Sequence, residues 1–227
     1  MQGTVVREIG PCMPAKGPKK RVLQVRLTSI CNMHCRFCVR ERTSDGREWR
    51  EGIGATVMTV DAATELLSRS MGSPDPPEGV EITGPGEPLL DASTYLFLRR
   101  LHGMYPQLFL SVRTNGILLQ ERIGDLIRSG CRGVTLSLNA ATMNAGERIF
   151  ESVIFRGRRY EGSDAARIIL QQQWTGLEQA IEAGLAVSVQ IARIARVNEE
   201  EIDRIASLAE MIGAERVSVT DFDGRIA

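Results

Sequence analysis

Residues 79–138 read GVEITGPGEPLLDASTYLFLRRLHGMYPQLFLSVRTNGILLQERIGDLIRSGCRGVTLSL. Strand and helix patterns alternate along this stretch. Gly79–Thr83 is a short apolar run closed by a Gly-Pro turn, and Ala92–Met104 carries apolar residues at helical spacing, Leu96, Leu98 and Leu101 among them. Leu108–Val112 predicts the next strand and ends in Arg-Thr-Asn-Gly; Leu118–Ser129 predicts a helix that Gly130 stops; Gly133–Leu138 predicts a further strand.

The same alternation continues on both sides. Upstream, Arg21–Ser29 (RVLQVRLTS) alternates apolar and polar residues as a strand with one covered face does, and Asp61–Met71 reads as a helix with Thr59 or Asp61 to cap it. Downstream, Ser163–Ala183 is a long helix with Gly184 where a left-handed cap belongs. Leu185–Ile191, Glu199–Ile212 and Glu215–Asp221 follow as strand, helix and strand. Six strands separated by helices of about ten or more residues define an α/β chain of parallel βαβ units. Six units fall short of the eight that close a full barrel, so the expected fold is a TIM-barrel-like partial (β/α)6 barrel, open on one side. It occupies residues 21–227 after an irregular lead-in, residues 1–20, and Arg40–Gly54 and Met143–Gly162 read as loops over the open side. No fixed sequence period argues for a solenoid.

Composition narrows the function. Of 227 residues, 28 are basic and 28 acidic, so net charge gives no reason to expect nucleic acid or a membrane surface as partner. The basic set holds 25 Arg and 3 Lys, and the Lys all lie at positions 16, 19 and 20. No apolar run approaches the ~20 residues of a membrane span, and the N-terminus lacks the charged-then-apolar order of a secretory signal. Five cysteines are an odd number, three of them within eight residues. That is a poor disulfide framework and a good metal site, which points to the reducing cytoplasm.

These three cysteines form Cys31-Asn-Met-His-Cys35-Arg-Phe-Cys38, directly after the first strand. In parallel α/β folds chemistry collects at the loops beyond the strands' C-terminal ends. Three thiolates suit zinc or an iron–sulfur cluster. A structural zinc site takes four ligands, and the remaining candidates are only His34, His102, Cys12 and Cys131. A [4Fe–4S] cube held by three cysteines instead leaves one iron open to a ligand. Cys131, at a helix-to-strand junction, lies at the wrong end of a strand for this site and reads as a structural thiol.

The CxxxCxxC spacing, with Thr83-Gly84-Pro85-Gly86-Glu87-Pro88 after the second strand, resembles the radical S-adenosylmethionine (SAM) superfamily. The resemblance implies that Cys31, Cys35 and Cys38 are the metal ligands and catalytic residues of a [4Fe–4S] cluster whose open iron takes SAM. It also implies an external electron donor, a reductase of flavodoxin or ferredoxin type, acting with a substrate that the sequence does not name. Phe37 occupies the aromatic position before the last cysteine. Gly84, Gly86, Glu87 and Pro88 correspond to the turn that binds the SAM amino group, and Thr114 and Asn115 to the motif after strand three. Ser137 and Asn139, ending strand four, are candidates for the SAM ribose or carboxylate, and equally for local loop hydrogen bonds. Gln190 and Arg193 are candidates for the carboxylate.

ITGPGEPLLD, TNGILLQERIGDLIRSGCRGVTLSLNA and FRGRRYEGSDAARIILQQQWTGLEQAIEAG further resemble the radical SAM domain of the NifB family of nitrogenase cofactor maturases. In FRGRRYEG, Arg156, Arg158 and Arg159 are either a solvated loop or a grip on an anionic substrate or cluster. NifB enzymes carry extra cysteine and histidine ligands for their substrate clusters. Here Cys12 matches the first, no histidine precedes His34, and no cysteine follows Cys131. The resemblance therefore implies NifB-like SAM chemistry on an unnamed substrate, with nitrogenase cofactor assembly as the alternative.

Overall fold

The computed structural model describes residues 21–38, 41–42, 49–50 and 57–222. The expected lead-in, residues 1–20, and most of the Arg40–Gly54 loop lie outside the described residues. In chain order the strands and helices are β1 (Val22–Arg26), β2 (Met33–Cys35), β3 (Glu41–Arg42), β4 (Trp49–Arg50), α1 (Val60–Met71), β5 (Gly79–Thr83), α2 (Ala92–Met104), β6 (Phe109–Thr114), α3 (Leu119–Arg128) and β7 (Gly133–Ser137). They continue with α4 (Met143–Ile149), β8 (Phe150–Phe155), β9 (Arg158–Glu161), α5 (Gly162–Glu182), β10 (Ala186–Ile194), α6 (Ile202–Ile212) and β11 (Arg216–Phe222). Single 3-10 turns occupy Pro88–Leu90 and Glu199–Glu201.

Six strands form one parallel sheet in the order β1-β5-β6-β7-β10-β11, curled into a half-barrel. The alternation seen in the sequence sorts its two faces. Val25, Val80, Ile82, Val112, Leu136 and Val189 point outward, each at most 1% exposed, and pack with Leu67, Leu101, Leu126, Leu177 and Ile205 of the covering helices. Burying each such side chain contributes about 1.5–3 kcal/mol. The inner face carries Gln24, Glu81, Arg113, Thr135, Ser137 and Gln190, so the concave side is polar. Helix ends follow local chemistry: Thr59 Oγ1 accepts from Ala62 N at 3.2 Å to cap α1, and Asp91 caps α2 through Ser93 N at 2.8 Å. Gly184 ends α5 at φ 82°. Within α2 the buried face is Phe97, Leu98 and Leu101, while Leu96 turns outward.

Met143–Gly162 is not the loop that the sequence suggests. It folds as α4 and the hairpin β8–β9, and β8 runs antiparallel to β2 in a second, three-stranded sheet. Two features hid it. The hairpin turn is Arg156-Gly157 with φ of 50° and 74°, a two-residue turn with both central residues left-handed, built without the Asn-Gly or Asp-Gly that announces such turns. Its partner β2 is three residues long, too short to show a period. This sheet has its own core, in which Met33, Phe150 and Val153 pack with Ile117, Ile149 and Ile169.

The two-faced sheet predicts opposite outcomes for adjacent residues of β7. Leu136→Ala, on the helix-covered face, is expected to cost about 2–5 kcal/mol. Ser137→Ala, on the concave face, is expected to cost less than about 1 kcal/mol. Urea unfolding of the iron-free chain under reducing conditions measures both, and equal losses would show that both faces are packed core.

Candidate active site at the strand ends

The cysteine loop is stitched to its surroundings by backbone. Gly86 N donates to Thr28 O at 3.1 Å and Glu87 N to Ile30 O at 2.7 Å, joining the turn after β5 to the segment that leads into Cys31. A Cβ on Gly86 would collide with the Ile30 carbonyl, and one on Gly84 with the backbone of Gly86. Close approach of neighbouring backbone therefore requires these glycines, before any ligand does. On its far side the loop is held through β2, through Arg36 N to Ile149 O at 2.8 Å, and through Ile154 N to Asn32 O at 2.7 Å.

Glu87 is the node of this arrangement. Only 1% exposed, it accepts hydrogen bonds from Leu89 N (3.0 Å), the Thr114 hydroxyl (2.6 Å) and Asn115 N (2.7 Å). Burial pushes its carboxyl above the ordinary value of 4.5, against the opposing pull of the three donors. Asn115 passes the connection on: its Nδ2 donates to Asn32 Oδ1 at 2.9 Å and lies 3.6 Å from Cys31 Sγ. Both carboxylate oxygens of Glu87 are thus engaged within the chain.

These elements wall a cavity of about 300 Å³, at the lower end of the range for small-molecule sites. Cys31, Cys35, Cys38 and Phe37 line it from the loop, and Phe37 meets Phe222 edge-on with ring centroids 5.6 Å apart. Gly84, Gly86 and Glu87 line it from β5, Thr114 and Asn115 from β6, Ser137 and Asn139 from β7, and Gln190 from β10. Asn139 Oδ1 is engaged by Ala192 N at 2.7 Å.

Two expected residues fall outside this set. Pro88 starts the 3-10 turn behind the cavity. Arg193 turns away because strand parity places Gln190 and Ala192 on the cavity face; it pairs instead with Asp221 of β11 at 2.9 Å, both side chains being half exposed. Arg156 and Arg159 likewise pair with Glu121 and Glu161, at 3.2 and 2.8 Å, while Arg158 stacks on Tyr160. Cys131 is buried, its Sγ 3.2 Å from Gly133 O.

The structure adds residues that the sequence did not mark. Gln173 of α5, fully buried, donates through Nε2 to Asn115 O (2.8 Å) and Ser137 O (3.1 Å), tying two strand-end loops together. The run Gln171–Gln173 in an apolar helix was a signal, but not of which glutamine points inward. Glu81, also fully buried, accepts from Gln24 (2.9 Å), Thr135 (2.7 Å) and Arg113 (2.7 Å). Its signal was a lone acid in the middle of GVEIT.

The donor set decides what the cavity can hold. Among the described residues no three His, Cys, Asp or Glu side chains are grouped as a single metal ion requires, although the three thiols share one wall. A polynuclear cluster asks for less convergence, because each thiolate binds a different iron. The arrangement therefore fits a cluster better than tetrahedral zinc. No described helix is long and apolar enough to cross a membrane.

The raised Glu87 carboxyl carries a pH signature. In the folded chain it keeps its proton above 4.5, so its contribution is fully present below that value and is lost as pH rises through the folded value. Glu87→Gln leaves one amide facing the Asn115 N–H and is expected to cost about 1–3 kcal/mol at low pH. The gap to wild type should narrow as pH rises above 4.5. Urea midpoints across that range test this, and a constant gap would rule out the linkage.

Comparison with known proteins bears on the same strand ends. The family model for the radical SAM superfamily matches residues 25–209. The FeMo cofactor biosynthesis protein NifB of Rhizobium leguminosarum bv. trifolii is 29% identical over 193 residues, which cover 85% of this chain and 39% of that protein. NifB of Methanocaldococcus infernus is 26% identical over 176 residues, covering 78% of this chain and 58% of that one. The chain thus spans between about two fifths and three fifths of the length of these curated relatives. Streptococcus suis SuiB shares the fold, with a TM-score of 0.59 at 15% identity over 91% of this chain and 40% of SuiB. With the family match running unbroken from β1 into α6, this chain belongs to the radical SAM superfamily, whose members work with a [4Fe–4S] cluster and S-adenosylmethionine.

Proposed function

We propose that this chain is the core of a NifB-like radical SAM enzyme in which Cys31, Cys35 and Cys38 hold the [4Fe–4S] cluster and SAM occupies the adjoining cavity. The observation that carries this reading is the shared wall: the three thiols and the Gly84–Glu87 turn face one space, and the turn donates to the backbone of Thr28 and Ile30 in the segment that leads into Cys31. A cluster held by these three cysteines would supply the single electron for reductive cleavage of SAM, and with it the means to take a hydrogen atom from the substrate.

The chain's own part is positional. Cys31, Cys35 and Cys38 would each hold one iron of the cluster and leave the fourth open to a ligand. Glu87 holds the turn and the Thr114–Asn115 loop at fixed spacing, and Phe37 with Phe222 closes one side of the cavity. Met33 and Phe150, at 4% and 0% exposure, back the cysteine loop and keep water from behind it. Ser137, Asn139 and Gln190 offer polar contacts to the nucleoside side, with Asn139 already committed through its oxygen. The electron comes from a flavodoxin- or ferredoxin-type donor. A reducing cytoplasm suits cysteines of which, among the described residues, no two form a disulfide.

Nitrogenase cofactor assembly is the second reading, favoured by the NifB relatives at 25–29% identity. It requires iron beyond one cluster, with Cys12 as the available extra thiol.

Anaerobic reconstitution separates the two. Cys31→Ala, Cys35→Ala and Cys38→Ala should each abolish 5′-deoxyadenosine formation under dithionite and remove the reduced-cluster EPR signal; turnover in any of them sinks the assignment. Wild type should hold about four irons. A clear excess that Cys12→Ala removes would establish the assembly reading instead.

A further inference from the structure

The Cys31 thiol has a neighbour whose chemistry the proposed function leaves unexplained. Asn115 follows β6 and is held at three points. Its backbone N–H reaches Glu87 at 2.7 Å, its carbonyl accepts from Gln173 at 2.8 Å, and its Oδ1 accepts from Ile117 N at 3.0 Å. The last bond sets the orientation of the amide, because only the Nδ2 end is then left to face the cysteine loop. Of the two Nδ2 protons, one goes to Asn32 Oδ1 at 2.9 Å, and the other has Cys31 Sγ at 3.6 Å as its acceptor. Asn32 is itself tied to β8 through its carbonyl, which accepts from Ile154 N at 2.7 Å. Its own Nδ2 is buried with no hydrogen-bond partner among the described residues. Reversing the Asn32 amide would set two NH2 groups against each other, so that orphan marks the orientation in which Asn32 accepts from Asn115. The two asparagines are 4% and 9% exposed, so water competes little for either amide.

Reduction of an iron–sulfur cluster adds negative charge, and an N–H aimed at one of its sulfurs favours the reduced state over the oxidised one. We propose that Asn115 is an N–H donor to the cluster through Cys31 Sγ and raises its reduction potential, with Asn32 as the positioning residue that holds the donor in place. The inference rests on Cys31, Cys35 and Cys38 holding the cluster. A bridge between two loops needs only the bond from Asn115 to Asn32; the second proton, directed at a thiol, is what makes the pair electronic as well as structural. A raised potential eases loading of the cluster by a one-electron donor and gives up part of the driving force for cleaving SAM.

The test uses the iron-loaded full chain without SAM, as wild type, Asn115→Ser and Asn32→Leu. Serine at 115 keeps a side-chain acceptor for Ile117 N and the backbone bonds to Glu87 and Gln173, and removes the Nδ2 donor. A mediated redox titration, followed by the EPR signal of the reduced cluster, gives the midpoint potential of each form. Asn115→Ser is expected to lower it: at a fixed potential the ratio of reduced to oxidised cluster falls on the order of tenfold, about 59 mV for one electron. Asn32→Leu leaves the donor without its guide and is expected to lower the midpoint by less. In wild type labelled with nitrogen-15 at the asparagine side-chain amides, pulsed EPR of the reduced cluster should show a coupled nitrogen-15 that Asn115→Ser loses. Asn115→Ser with the wild-type midpoint overturns the proposal while the cluster stands, since a purely structural bond would change thermal stability and iron content alone. A wild type with a reduced cluster and no coupled nitrogen-15 overturns it too, even where Asn115→Ser takes up no iron. A wild type that gives no reduced-cluster signal overturns the cluster assignment, and this inference with it.

Discussion

One buried carboxylate organises the catalytic end of this fold. Glu87 joins the turn after β5 to the end of β6 through two hydrogen bonds, from Thr114 and Asn115, with a third from Leu89 inside its own turn, and Asn115 extends that connection to Asn32 and the Cys31 thiol. Leaving a carboxylate in a place with 1% exposure is costly unless its oxygens are filled. That cost makes the geometry specific, because any shift of the turn relative to β6 leaves buried polar atoms unpaired. Gln173 ties the loop after β6 to the end of β7 from the helix side, so the cysteine loop rests on a frame held at several points.

The second constraint is the split between the two faces of the sheet. A closed eight-stranded barrel fills its interior with branched apolar side chains and becomes a core. Here the inward residues include Gln24, Glu81, Arg113, Thr135, Ser137 and Gln190, and the main hydrophobic core lies between sheet and helices. The strand side chains that face the lumen beneath the cysteine loop are therefore polar. The hairpin β8–β9 and α4 give the loop a separate apolar backing, so it is supported without filling that space.

Membership of the radical SAM superfamily and similarity to NifB operate at different scales. The family match runs over residues 25–209, from β1 into α6. The NifB relatives extend well beyond the region they share with it. Glu81 and Arg113 lie in the shared core, on the inner face, and make the lumen charged in a way that the SAM motifs alone do not specify.

Much of this was written in local sequence. Periodicity located all six strands of the parallel sheet and the helices between them except α4, because burial on one face imposes a spacing of two or of 3.6 residues wherever an element is long enough. The cysteine spacing and the GPGEP turn announced the site, because chemistry of this kind requires particular residues at particular separations. Tertiary structure decided the rest. Only pairing with β2 turned FESVIF into a strand, and only strand register put Arg113 inside and Arg193 outside, two arginines that look alike in a string of letters. Which of three adjacent glutamines reaches the loops, and why Gly86 must lack a side chain, depended on backbones distant in sequence. Local spacing records which residues face the same way, whereas what they face is set by chain segments that come together only on folding.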